Sequence, residues 1–345
     1  MIKSITFTNR IGRSLHCDLF EPEFSNIAIT NITGLGPGKS TIKVNDIATS
    51  DGVIFSSARM GARNIVFTFR FVDYDSDYNY VPIEDTRKLS YEFFMPKTQI
   101  RIIIETDRGR KYSITGYVES NEPSIFSKDE STTVSLICPG YYFKMDSDVG
   151  NSQHATILGQ GYFEFPFSNE STDGVKLIQF GSVETTSTYD LYYDGDSENG
   201  FTLEIQFTGN IVNTITIDNT PMGNTSQRDI GIGHDTINYP QWSDTDISSG
   251  YIDLDMDVVS RLLSDVYSYP VYSSGNKIVI TSMTGNKSIT FVTSEGDMYN
   301  ILDSVTHLDW LRLYPGYNHF RVSADNASLG HFRVEASFDI LYAGV

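Results

Sequence analysis

The sequence predicts an all-β protein with one short helix in its first domain, and three observations carry that expectation. Apolar and polar residues alternate with period two in several segments, the pattern of strands that bury one face. Aromatic residues make up 13% of the 345-residue chain, and they cluster with Thr, Ile and Val, which pack well on a pleated surface. One segment alone carries a convincing helical signature.

The alternation is clearest in residues 65–71, where positions 65, 67, 69 and 71 are apolar while Thr68 and Arg70 fall on the opposite face. Phe163/Phe165/Phe167, Phe201/Leu203/Ile205/Phe207 and Phe332/Val334/Ala336/Phe338/Ile340 read the same way. Ile100/Ile102/Ile104 runs through Asp107-Arg-Gly109 into a second strand over 111–118, which makes a hairpin. The helix is expected over 84–95, acidic in its first turn and closed by Pro96, with 257–265 a weaker candidate. So few helices among so many strands imply β-sandwiches with small helical additions.

A chain of this length and 39% hydrophobic content supports two domains. The boundary is expected at Cys138-Pro-Gly140, where a strand over 132–137 ends in a Pro-Gly break. This gives a first domain of 1–138 and a second of 139–345, with a loop insertion expected over 221–250, rich in Gly, Asn, Thr, Ser and Asp. Net charge is -19. Residues 1–138 hold 16 Lys and Arg against 17 Asp and Glu, whereas residues 139–345 hold 9 against 27. An acidic surface repels phosphates, which argues against sequence-independent DNA binding by the second region. The N-terminus lacks the apolar core of a signal peptide and no stretch is long enough to span a membrane, so the expectation is a product folded in a cytoplasm without membrane insertion.

No motif gives a catalytic reading. Gly34-Leu-Gly-Pro-Gly-Lys-Ser-Thr41 resembles a phosphate loop, but Thr33 stands where the first Gly belongs and a strand rather than a helix follows, so it reads as a structural turn. Asp73-Tyr-Asp-Ser-Asp77 with Glu84 mimics the carboxylates of a calcium loop, yet Tyr78 occupies the position that needs Gly. The six histidines lack metal-ligand spacing, and Cys17 and Cys138 read as buried thiols. No cofactor, metal or catalytic residue is expected. Trp310 sits in an apolar run and reads as core; Trp242, in the polar stretch Tyr239-Pro-Gln-Trp-Ser243, reads as exposed, so Tyr239 and Trp242 are the candidate contacts for a partner or glycan.

The order of motifs along the chain resembles that of the distal tail protein (Dit) family of long-tailed bacteriophages. The resemblance rests on Ile32-Thr-Gly-Leu-Gly-Pro37, Asp51-Gly-Val-Ile-Phe55, Gly61-Ala-Arg-Asn-Ile-Val-Phe67, Arg87-Lys-Leu89, Phe93-Phe-Met-Pro96 and Ser135-Leu-Ile-Cys-Pro139 with Tyr141-Tyr-Phe143. Downstream it rests on Gly181-Ser-Val-Glu184, Phe201-Thr-Leu-Glu-Ile205, Ile215-Thr-Ile-Asp218 and Leu313-Tyr-Pro-Gly-Tyr-Asn318. The resemblance implies a ring-forming (belt) N-terminal β-sandwich followed by a galectin-like C-terminal β-sandwich. It implies a homo-hexamer in the virion tail, assembled in the host cytoplasm. That ring would join the tail tube protein to the hub or tail-associated protein, anchor receptor-binding or other baseplate proteins, and pass DNA only as cargo. The competing reading is a carbohydrate-binding adhesin module for a host surface glycan.

Overall fold

The computed structural model describes residues 1–21, 27–47, 51–73, 79–124, 130–146, 153–158, 186–208, 214–221, 250–264, 266–267, 269–324 and 331–345. It divides into two units: Met1–Asn151 with Leu341–Val345, and Ser152–Ile340. The first contains β1 (Ile2–Asn9), β2 (Ser14–Asp18), β3 (Ile27–Thr33), β4 (Ser40–Asp46), β5 (Val53–Met60), β6 (Arg63–Phe71), α1 (Ile83–Phe93), β7 (Gln99–Thr106), β8 (Lys111–Ser124), β9 (Ser131–Cys138) and β10 (Phe143–Met145). The second contains β11 (Gln153–Leu158), β12 (Thr186–Tyr193), β13 (Thr202–Phe207), β14 (Thr214–Pro221), β15 (Gly250–Asp255), α2 (Met256–Leu263), β16 (Lys277–Met283), β17 (Asn286–Val292), β18 (Met298–Asn300), β19 (Val305–Asp309), β20 (Gly316–Ala324) and β21 (Phe332–Phe338). The chain then returns to the first unit as β22 (Leu341–Tyr342).

In the first unit the strands run β2-β1-β7-β8-β9-β6-β3. β1 and β6 are far apart in that order, yet Phe7 of β1 meets Phe67 and Phe69 of β6 at 5.0 and 5.7 Å between ring centroids. The sheet therefore bends over on itself around a phenylalanine core, which Phe94 completes at 5.3 Å from both Phe7 and Phe69. Burying each such ring contributes on the order of 2–3 kcal/mol. Phe94 also ends α1 two residues before the sequence pattern suggested: its backbone leaves the helical region so that its ring can fill the core, while Met95 is exposed. Cys17 of β2 donates its thiol to the Ile27 carbonyl of β3 at 3.4 Å, linking the two ends of the path. Burial pushes the Cys17 thiol up to about 12 and the Cys138 thiol up to about 11.

The boundary expected after Cys138 falls inside this unit. β10 pairs with β8 through Lys144 and Ser113 and with β22 through Phe143 and Tyr342, so the chain adds a strand before leaving and another on returning. One side chain fastens both. Arg63, 4% exposed, donates from Nε to the Tyr141 carbonyl at 2.8 Å and from Nη1 to the Gly34 and Gly36 carbonyls at 2.8 and 2.9 Å. Its Nη2 donates to the Ala343 carbonyl at 2.6 Å. The guanidinium also lies over the Tyr141 and Phe143 rings, 4.8 and 4.6 Å from their centroids. Gly34 has φ +89 and packs so closely that a Cβ would stand 2.1 Å from the Asn64 carbonyl oxygen, so only glycine fits there.

The second unit is a two-sheet sandwich. One sheet runs β11-β21-β13-β16-β17-β18 and the other β12-β20-β14-β15-β19, all antiparallel. Their inner faces meet at Phe201 and Phe320 (5.7 Å) and at Tyr193 and Phe338 (6.1 Å). The second helix expected from the sequence is present as α2, capped by the Asp255 carboxylate, which accepts from the Asp257 and Val258 amides at 3.0 Å each. It buries Met256, Val259 and Leu263.

Two outcomes follow from this packing. Arg63→Lys keeps the charge but cannot reach carbonyls from three segments, so urea denaturation should show a loss of about 3 kcal/mol, with the last residues newly open to carboxypeptidase. Native protein held at pH 8 with iodoacetamide should leave both cysteines unmodified by mass spectrometry, and both should react once the chain is unfolded.

Candidate interaction surfaces

The clearest unpartnered surface of the first unit is the β4–β5 hairpin. Every residue of both strands is exposed. The register pairs Ser40 with Met60, Ile42 with Ala58, Val44 with Phe55 and Asp46 with Val53, with an irregularity between Lys43 and Val44. Residues directly opposite share a face. One side of the ribbon therefore presents Ile42, Val44, Val53, Phe55, Ala58 and Met60 with Ser40 and Asp46 at its two ends, and the other presents Thr41, Lys43, Asn45, Ile54, Ser57 and Arg59. Phe55 is 62% exposed and Ile42 60%. A two-stranded ribbon is marginal alone, and an exposed apolar face of this kind is a surface built to be covered.

The outer face of the β12-β20-β14-β15-β19 sheet has a different character. Tyr192 of β12 stands directly opposite Tyr317 of β20, their rings 5.0 Å apart and inclined at 62°. One step along, Asp190 faces His319, with 2.6 Å between Oδ1 and Nδ1. A further step brings Arg321 opposite Asp218 of β14. Burial pushes the Asp218 carboxyl up from its ordinary value, with Arg321 and His319 opposing.

Tyr239 and Trp242 lie outside the described residues, as does residues 222–249 of the expected insertion. Trp310 is not the core residue its apolar run suggested: it is half-buried, with the Lys287 ammonium 5.3 Å from its ring centroid. The phosphate-loop resemblance resolves as a turn, with the carbonyls of Gly34 and Gly36 facing Arg63 and the Gly38 amide donating to the Tyr141 hydroxyl at 2.6 Å. Among the described residues no group of three or more His, Cys, Asp or Glu could hold a metal ion. Sequence reasoning missed both surfaces. The alternation of Ile42/Val44 and Val53/Phe55 was available as a signal, but nothing in it distinguishes a buried face from an unpartnered one.

No protein-family model matches the sequence, and no curated protein matches it. Among solved structures, two of the phage P2 baseplate in its activated conformation, with Ca and with Sr, align over 98% of both chains at TM-scores of 0.34 and 0.33 and 8% identity. The Dit protein (gp 19.1) of phage SPP1, described as a paradigm of the hub adsorption apparatus in phages infecting Gram-positive hosts, aligns over 98% of both chains with a TM-score of 0.54 and 11% identity. From end to end, the chain shares the all-β fold of that phage Dit protein.

Proposed function

We propose that the protein is a structural subunit of a phage tail tip, forming a six-membered ring at the distal end of the tail tube. In this reading the ring joins the tube to the hub, passes DNA through its centre and anchors receptor-binding or baseplate proteins, and it catalyses no reaction. The shared fold supports the class. The observation that carries the assembly is the unpartnered apolar face of the β4–β5 hairpin. A closed ring needs a heterologous contact, in which one surface of each copy meets a different surface of the next. A projecting ribbon with one apolar side supplies the donor half of such a contact. Its cost when left bare, on the order of 1.5–3 kcal/mol per large apolar side chain, is recovered on assembly.

Light scattering and negative-stain microscopy test this directly. Six copies of a 38.7 kDa chain should give about 232 kDa and an open centre. Val44→Ser with Phe55→Ser should yield a folded monomer, because the two side chains stand opposite each other across the hairpin and outside the phenylalanine core. A wild-type chain that stays monomeric even beside tube and hub proteins would sink the proposal.

Residues 222–249 are proposed as the docking arm for the outer partner. β14 and β15 pair through Asn219 and Gly250, so the two ends of the segment already meet, and a short Gly-Asn turn can replace it. The shortened chain should assemble as the full chain does and fail to retain the attached baseplate protein in a pull-down. Loss of the ring instead would refute the assignment.

A further inference from the structure

The exposed apolar side chains of the second unit are gathered at one corner. Among the described residues, every large aliphatic side chain or methionine that this unit leaves exposed lies on one of two segments. Leu262 and Val266 stand at the end of α2 and just past it; Met298 and Leu302 stand on β18 and on the 3-10 turn Leu302–Ser304 that follows. Tyr269, 66% exposed, adds a ring beside the first pair. The two segments adjoin. The 3-10 turn packs against α2, and Tyr267 meets Phe291 of β17 at 5.8 Å between ring centroids, where Phe291 stands directly opposite Tyr299 of β18.

A buried asparagine fixes this corner from beneath. Asn276 donates to the Val271 carbonyl at 3.1 Å and to the Tyr267 hydroxyl at 3.0 Å, and it accepts from the Ser294 amide at 2.9 Å. It thereby ties the loop after α2 to the turn before β18. The Val266 and Tyr267 amides both donate to the Leu263 carbonyl, at 3.1 and 2.8 Å. Side chains on a scaffold held in this way lose little freedom when a partner covers them, and under that condition a few apolar anchors supply most of the affinity. The fold does not require their exposure, since α2 is already anchored through Met256, Val259 and Leu263.

Charge selects the partner. Among the described residues of 256–269 and 293–304, the exposed charges are Asp257, Glu295, Asp297 and Asp303 against Arg261 alone. Such a rim repels nucleic acid and anionic lipid headgroups and attracts Lys and Arg. It also disfavours a second copy of the same corner, whose carboxylates would meet like charges. We propose that this corner docks a protein segment carrying large apolar anchors flanked by Lys or Arg, with Leu262, Val266, Tyr269 and Leu302 as the apolar floor and Asp297 and Asp303 in the acidic rim. The contact needs the second unit alone and does not depend on ring closure.

Peptide display tests it. Random dodecapeptides are selected on the full chain carrying Val44→Ser and Phe55→Ser, which takes the hairpin contact out of play, and counter-selected on the same chain with Leu262→Ser and Tyr269→Ser added. The enriched peptides should combine large apolar residues with net positive charge. A synthetic copy of the most enriched one should bind the counter-selection variant about tenfold more weakly or worse. Asp297→Asn with Asp303→Asn should weaken binding several-fold at low salt and much less at high salt, while Glu204→Gln on the six-stranded sheet should leave it unchanged. Circular dichroism on the same samples confirms that each variant is folded. Enrichment of acidic or uncharged peptides, or binding that a folded Leu262→Ser/Tyr269→Ser chain retains, overturns the proposal. Self-association that those two substitutions abolish in light scattering also overturns it, because the occupant is then a second copy, and so does binding to phosphatidylcholine vesicles that needs the same two side chains.

Discussion

The first unit depends on a buried cation, Arg63, that has no carboxylate beside it among the described residues. Arg63 satisfies its guanidinium with backbone carbonyls from three segments that are remote in sequence, the 34–36 turn, Tyr141 and Ala343. Burial lowers the Arg63 pKa, yet an arginine starts so high that it remains charged. A lysine, with a single point charge and no planar fork, could not serve as the same hub. What this side chain ties together is the segment just before β10 and the segment just after β22. The second unit is thus an insertion, and the residues that Arg63 holds before it and after it both belong to the first unit.

That arrangement explains the glycine-rich turn in reverse. A phosphate loop uses glycine so that backbone amides can converge on an anion. Here glycine lets carbonyls converge on a cation, and the same absence of side chains serves the opposite polarity. The terminal residues are held by the same turn, since the Val345 amide donates to the Leu35 carbonyl at 3.1 Å.

Long elements with regular alternation were legible in the sequence. β6, β13 and β21 and the β7–β8 hairpin stand where their period put them, and both helices are present with ends shifted by one or two residues, because each buries its own face and so carries its own signal. β10 and β22 have three and two residues, too short for any period to register. The domain division went with them, because it is decided by those two short pairings rather than by the Pro-Gly break. Arg63 was equally silent: between Ala62 and Asn64 it looks like any polar residue opening a strand, and its meaning lies in carbonyls contributed from elsewhere. Trp310 failed for a related reason. Its apolar neighbours Leu311 and Leu313 are buried, but Trp310 stands just past the end of β19 and is only half-buried.

The two surfaces also differ in the kind of contact each can make. The hairpin's apolar face gains by excluding water, and that kind of contact suits permanent assembly between copies. The tyrosine and aspartate face is polar, and a hydrogen bond made by a partner there would replace one made to water, so the net gain per contact is small. A single such site is weak by construction. Weak sites become effective when several are presented together, because each binding event after the first occurs at high local concentration.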